Sequence, residues 1–259
     1  MVAVGTWNLY RPGGRFGPKT RAAYDAKLGT LAATITRLAP DVLAVQEVGQ
    51  PEALADLVDL LGGSWTAVLS EHPDARGIRV GFLSTVEPVS TAQVVDFPVG
   101  LRPIQDGDAA TDSSAAMGRG GVHLRVTVQG TDWDLLTVHL KSKLLTFPGG
   151  RFAPENEDQR ARFGAYALYR RAGEAATVRV YADTVLAGQG QDRPLIVLGD
   201  LNDSPQAATT QLLYGPPGSQ FDTGGLEHPD RVMGRGCGTW PRGSPPSTGS
   251  PGSSTANGS

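Results

Sequence analysis

The chain has 259 residues, of which 39% are hydrophobic and 19% charged, so it can bury a core and is not a disordered polyelectrolyte. A formal net charge of −3 excludes a strongly basic coat, and with it tight non-specific nucleic-acid binding through bulk charge. The lone cysteine, Cys237, excludes an internal disulfide framework and a cysteine-based zinc site, and no apolar run approaches the ~18 residues of a membrane span. A strand signal begins at the second residue with no basic and apolar leader before it, so a cytoplasmic location is expected.

Val2 to Leu9 reads as a strand carrying the polar Asn8 near its end, followed by a Gly/Pro/basic loop from Arg11 to Thr20. Ala22, Leu28, Leu31, Ile35 and Leu38 then recur at helical spacing over Arg21–Leu38, and Pro40 follows the stop. Asp41–Val48 is a short apolar run closing on Gln46-Glu47, a buried strand. Pro51–Leu61 opens with proline and ends at Gly62-Gly63, which predicts a short helix. Trp65–Ser70, Ile78–Ser84, Pro88–Asp96, Val122–Val128 and Trp133–His139 read as strands suited to antiparallel pairing, the last two joined as a hairpin at Gly130-Thr131.

Between Phe97 and Gly121 a polar stretch of about 24 residues is expected to be a long loop. Glu155–Leu186 is the longest helical segment, and its arginines 160, 162, 170, 171 and 179 read as a solvated face. Pro194–Leu198 is a further buried strand running directly into Gly199-Asp200-Leu201-Asn202-Asp203, and Gln206–Leu213 is a short helix. Strands in runs with helices interspersed predict two packed sheets with helices outside. From Pro241 to the end nearly every residue is Gly, Pro, Ser or Thr, too little apolar surface to offset ordering, so a disordered tail is expected.

Four polar clusters share a position at the end of an apolar strand: Thr6-Trp7-Asn8, Gln46-Glu47, His139-Leu140-Lys141-Ser142 and Gly199-Asp200-Leu201-Asn202. Strand ends project side chains from a rigid scaffold into a shared rim. Glu47 after an apolar run needs a partner, and a hard divalent cation such as Mg²⁺ or Mn²⁺ suits carboxylate oxygens. Asp200 and Asn202 alternate along what reads as an extended segment and are expected to face the same way, one accepting a proton from water, the other donating to a phosphate oxygen. Singly, each cluster also reads as a turn, a cap or a packed core imidazole.

Taken in order, these clusters resemble the endonuclease/exonuclease/phosphatase (DNase I-like) superfamily over about residues 2 to 230. The resemblance implies a four-layered α/β sandwich of two packed mixed or antiparallel sheets flanked by helices, and a Mg²⁺-dependent phosphoesterase (Mn²⁺ as an alternative metal). Carried over, Glu47 resembles the principal metal ligand with Asn8 beside it, and Asp200 the residue that orients or deprotonates water. Asn202 resembles a phosphate-binding amide, and His139 the imidazole that hydrogen-bonds the scissile phosphate. Lys141 extends that set as a phosphate contact two residues beyond His139 on the same strand face. Arg79 and Arg119 are further phosphate-contact candidates, Arg119 from a mobile loop flanked by Gly118 and Gly120.

The family pattern ends in a strand that supplies an Asp-His pair, and none of the four histidines here follows an aspartate. The expected domain, residues 1–231, therefore lacks its last strand, and residues 232–259 read as an out-of-frame translation of the lost C-terminus. Three functional readings follow. The first is a metal-dependent nuclease, supported by basic loops at Arg11-Arg15-Lys19 and Lys141-Lys143-Arg151. The second is a phosphatase or phosphodiesterase on a phosphorylated lipid or small molecule, favoured by the acidic balance. The third is an inactive remnant. A nucleic acid or another phosphoester is the expected partner, with no membrane span and no protein partner implied.

Overall fold

The computed structural model describes residues 2–13, 17–190 and 192–214. Arg15, the final strand of the family pattern and the segment 232–259 lie outside the described residues. The first sheet comprises β1 (Val4–Asn8), β2 (Val42–Val48), β3 (Thr66–Leu69) and β4 (Arg79–Ser84), in the order β1-β2-β4-β3. The second comprises β5 (Pro88–Asp96), β8 (Ala116–Val128), β9 (Thr131–His139) and β10 (Leu195–Asp200), in the order β10-β9-β8-β5. A small ribbon of β6 (Ile104–Gln105) and β7 (Ser113–Ser114) stands apart.

Both sheets are mixed. β1 pairs parallel with β2 and β10 parallel with β9, while the other neighbours are antiparallel. Each parallel pair is separated in sequence by a helix, as a parallel return requires. These are α1 (Arg21–Leu38) in the first sheet and α3 (Glu157–Leu186) in the second. α2 (Pro51–Leu61) joins α1, and α4 (Ala208–Tyr214) follows β10.

Side-chain alternation fixes the layers. On β2, Val42 and Ala44 join Phe82, Val122, Leu124 and Leu135 in the core between the sheets. Leu43 and Val45 point the other way, to Leu28, Ile35, Leu54 and Leu57 of α1 and α2. On β9, Leu136 and Val138 pack outward against Ala175 and Val178 of α3. The order is helices, sheet, sheet, helix: the four-layered sandwich that the sequence implied.

Local signals account for most boundaries. The Thr20 hydroxyl accepts the Ala23 N–H to start α1, which ends at Ala39 in the left-handed region just before Pro40. α3 begins two residues later than expected, because the Asn156 side chain caps it by accepting the Gln159 N–H. The β8–β9 turn is Gln129-Gly130, both at positive φ, one residue earlier than expected.

Three expectations need correction. The stretch after Phe97 is not one long loop, since it forms the β6/β7 ribbon and then β8 from Ala116. Arg119 thereby belongs to a strand and not to a mobile loop. β9 stops at His139, so Lys141 lies beyond the strand and not on its face. Arg171 is not part of a solvated face, for it is buried beneath α3.

Candidate functional site

The site forms where the inner faces of β2 and β9 turn polar. Gln46 continues the inward register of Val42 and Ala44, and its amide donates to the Thr137 hydroxyl across the sheets at 3.1 Å. It also exchanges hydrogen bonds with the Thr6 hydroxyl. Strict alternation would send Glu47 outward with Leu43 and Val45. Instead the β2–β4 register shifts between Val45 and Val48, and Glu47 takes a φ of +55°. Such a bulge re-aims a side chain at the expense of local strain, a device common at functional sites.

The Asn8 amide Nδ2 donates to Glu47 Oε1 at 3.3 Å and to Asp200 Oδ2 at 3.2 Å, so one side chain of β1 joins acids from both sheets. Its Oδ1 accepts the Tyr10 N–H at 3.0 Å, which fixes the amide orientation. Glu47 Oε2 lies 3.3 Å from Arg11 Nε; it is buried and accepts no hydrogen bond among the described residues.

β10 extends further than expected and carries Asp200 as its last residue, paired with His139 of β9. Gly199 is required just before it, because a Cβ there would sit 2.0 Å from the Val138 carbonyl oxygen. Asp200 and Asn202 are not alternate residues of an extended segment. Asn202 has a φ of +54°, and its N–H donates to Asp200 Oδ1 at 3.0 Å, closing an Asx turn. Its Nδ2 donates to the Leu140 carbonyl at 2.9 Å, tying the β10 turn to the end of β9.

The His139 ring is buried, with Nε2 at 3.6 Å from Asp200 Oδ2 and Nδ1 unpartnered among the described residues. Burial, reinforced by the Arg119 guanidinium, pushes its pKa down to about 4, so the imidazole is neutral at pH 7. Arg119 itself pairs with Asp74 at 3.1 Å and donates from Nη1 to the His139 carbonyl at 3.1 Å. It supports the backbone of His139 from beneath. Burial and the nearby Arg170 lower the Lys141 pKa to about 8, and its ammonium donates to the Ser142 and Leu144 carbonyls. Arg79 opens β4 opposite Val48 and donates to the Ser70 carbonyl at 2.8 Å.

Asn8, Glu47, His139, Asp200 and Asn202 are thus brought together. Arg119 joins them through the His139 carbonyl, whereas Arg79 and Lys141 are held by the carbonyls of Ser70 and of Ser142 and Leu144. A cleft of about 470 Å³ opens over Thr6, Asn8, Gln46, Asp200 and Asn202. Sequence reasoning missed Thr137, Arg171 and Glu174. In the structure Arg171 shares the buried stripe of α3 with Ala175, Val178, Ala182 and Val185.

No group of three or more His, Cys, Asp or Glu side chains gathers as a metal-binding cluster among the described residues. Mg²⁺ does not need one, since it binds through one or two carboxylates and keeps several waters. The Glu47 and Asp200 carboxylates present oxygens that fit a hard divalent cation, whereas Asn8, expected as a ligand beside Glu47, turns its Nδ2 to the two acids and its Oδ1 to the Tyr10 N–H and so holds the acids together.

The model of the Endonuclease/Exonuclease/phosphatase family matches residues 5–253, and the chain belongs to that family. Its fold is similar to that of the mannosyl-6-phosphatase Bt3783 of Bacteroides thetaiotaomicron. That likeness has a TM-score of 0.53 at 13% identity and covers 82% of this chain and 70% of that one. A humanized TDP2 from D. rerio gives a TM-score of 0.50 at 17% identity over 84% of this chain and 72% of that one. TDP2 from C. elegans gives 0.50 at 18% identity, covering 79% of this chain but 49% of that one, so the chain spans about half its length. These likenesses show the fold. Comparison with curated proteins found no match. No helix among the described residues is long and apolar enough to cross a membrane.

Proposed function

We propose that the chain is a Mg²⁺-dependent hydrolase of phosphodiester bonds, with nucleic acid as its substrate class. The observation that carries this reading is the Asn8 amide bridging Glu47 and Asp200 from opposite sheets, with the neutral His139 ring next to Asp200. Glu47 would hold the metal, its carboxylate kept beside Asp200 by the Asn8 amide; when bound the ion supplies Lewis-acid polarisation of a phosphate oxygen. Asp200 orients the attacking water and accepts its proton. His139, neutral at pH 7, donates a hydrogen bond to a second phosphate oxygen, and the Asn202 amide lies beside it. Arg79 and Lys141 add positive charge around the phosphate.

Nucleic acid is favoured by the placement of basic residues. Arg11 lies on the segment after β1, and Lys141, Lys143 and Arg151 on the segment after β9, so these two segments are rich in basic residues, with Arg11, Lys143 and Arg151 paired to Glu47, Asp203 and Glu155. The net charge of −3 favours a second reading, a phosphorylated lipid or small molecule. A panel of single-stranded DNA, RNA, a phosphoinositide and a sugar phosphate, each with Mg²⁺ and with EDTA, tests both. The expected result is DNA or RNA hydrolysis abolished by EDTA and weakened steeply by salt, with Glu47→Gln lowering it about 100-fold. Salt-insensitive turnover of a small phosphoester moves the substrate class. No metal-dependent turnover of any phosphoester overturns the assignment.

A further inference from the structure

Arg171 and Glu174 lie about one turn apart on α3 and face the second sheet, 5% and 2% exposed. Glu174 uses both carboxylate oxygens on backbone donors: Oε1 accepts the Gly118 N–H at 3.1 Å, and Oε2 the Lys141 N–H at 2.5 Å. Arg171 Nη1 donates to the Lys141 carbonyl at 3.0 Å, and its Nε donates to Asp203 at 3.1 Å. One helix therefore grips both backbone groups of Lys141. It also holds the residue before Arg119 and the residue after Asn202.

The carbonyls at the end of β9 complete the pattern. That of His139 accepts from Arg119, that of Leu140 from Asn202, and that of Lys141 from Arg171. Three consecutive carbonyls are each held by a charged or amide side chain from a different segment. Stability is a poor reason for such an arrangement. Burial raises the Glu174 pKa, and buried ion pairs are often replaceable by apolar residues without loss of stability.

We propose that Glu174 and Arg171 are positioning residues for the hydrolysis proposed above. They set the relative placement of Arg119, His139 and Asp200 through the Gly118 and Lys141 backbone and the Asp203 carboxylate that they hold. The inference rests on that functional reading. Supporting residues of this kind typically alter activity by about 10–100-fold, because small displacements of catalytic groups are costly.

The test compares Glu174→Ala, Glu174→Gln and Arg171→Lys with Val178→Ala, a core truncation on the same helix, in the full chain. Turnover of bis(p-nitrophenyl) phosphate with Mg²⁺ is measured per folded molecule, together with amide hydrogen exchange. Glu174→Ala and Arg171→Lys are expected to lower kcat about 10–100-fold with KM nearly unchanged. Glu174→Gln, which retains one acceptor oxygen, should fall between Glu174→Ala and wild type. Val178→Ala should lower Tm while leaving kcat per folded molecule unchanged. Exchange in Glu174→Ala should rise at residues 117–120 and 139–143 and stay unchanged in β2. Equal kcat in Glu174→Ala and wild type, or equal losses in Glu174→Ala and Val178→Ala, overturns the inference. A uniform rise in exchange does the same. A wild-type chain without turnover removes the phosphoesterase reading, and exchange then decides whether the clamp holds the two segments.

Discussion

The two halves of the sandwich are alike in strand number and in having one parallel pair, yet they bury different chemistry. Outside the first sheet, α1 and α2 rest on an apolar layer of Leu28, Leu31, Ile35, Leu54 and Leu57. The buried polar residues of that half are Gln46, Ser70 and Ser84, none of them ionisable under ordinary conditions. The second half buries Arg119, His123, Asp134, His139, Arg171 and Glu174 among its described residues. The first sheet thus contributes Glu47 through a backbone irregularity on an apolar platform. The second sheet contributes Asp200 and His139 through strand ends held by a polar network. Both halves bring a carboxylate to the cleft, and only the second surrounds its own with buried charged groups.

Removing a reacting group from the second half gives the largest expected effect. Asp200→Asn should lower kcat about 10²–10⁴-fold with little change in KM, because its interaction with water is made chiefly in the transition state. A change confined to KM would mean that Asp200 only binds substrate.

Truncations beneath the two helical layers come next. Asp134 is fully buried and accepts from His123 at 2.8 Å, from Arg125 at 2.9 and 3.1 Å and from Arg193 at 2.8 Å. Asp134→Ala leaves these groups without their shared acid and should destabilise by about 3 kcal/mol. Leu54→Ala, in the apolar layer of the first half, should reach a similar figure by opening a cavity, about 3 kcal/mol. Urea unfolding of both variants checks the pair. A loss below about 1 kcal/mol for Asp134→Ala would break the contrast between the halves.

Acid should act on the second half through its buried imidazoles. Burial holds the His123 and His139 pKa values below the ordinary value, His139 at about 4. Between pH 6.5 and pH 4 the unfolded chain binds a proton at His139 that the folded chain does not. Stability therefore rises with pH in this window and is lost as pH falls through it. For His139 the loss from pH 7 to pH 5 should be about 2 kcal/mol. Urea midpoints across this range should show a shallower dependence in His139→Gln than in wild type. Identical slopes would mean that this imidazole is not held neutral by its surroundings.

Helix caps give the smallest effects and a control. Thr20→Ala on α1 and Asn156→Ala on α3 each remove one acceptor for a first-turn N–H and should each cost about 1 kcal/mol. Similar shifts in thermal unfolding would show that the halves differ in what lies under their helices and not in the helices themselves.

The amino-acid sequence by itself determined most strands and helices, their order, the layering and which polar strand ends are candidates for a site. Apolar runs ending in Asn8, Glu47, His139 and Asp200 mark strand ends, and proline, glycine and capping residues mark the helices. These signals act over a few neighbouring residues, so they are legible without the fold. What only the tertiary structure decided depends on partners far apart in the chain. The positive φ that re-aims Glu47 and the turn that replaces an extended Asp200–Asn202 segment are imposed by the pairing of β2 with β4 and of β10 with β9. Arg119 reads locally as part of a glycine-rich loop, and it falls within β8, at the register shift where β5 pairs Val94 with Gly121 and Asp96 with Ala116. Arg171 and Glu174 read as ordinary helix charges. A charge is buried or solvated according to what packs against it, and here two segments distant in sequence supply the backbone groups that make burial tolerable.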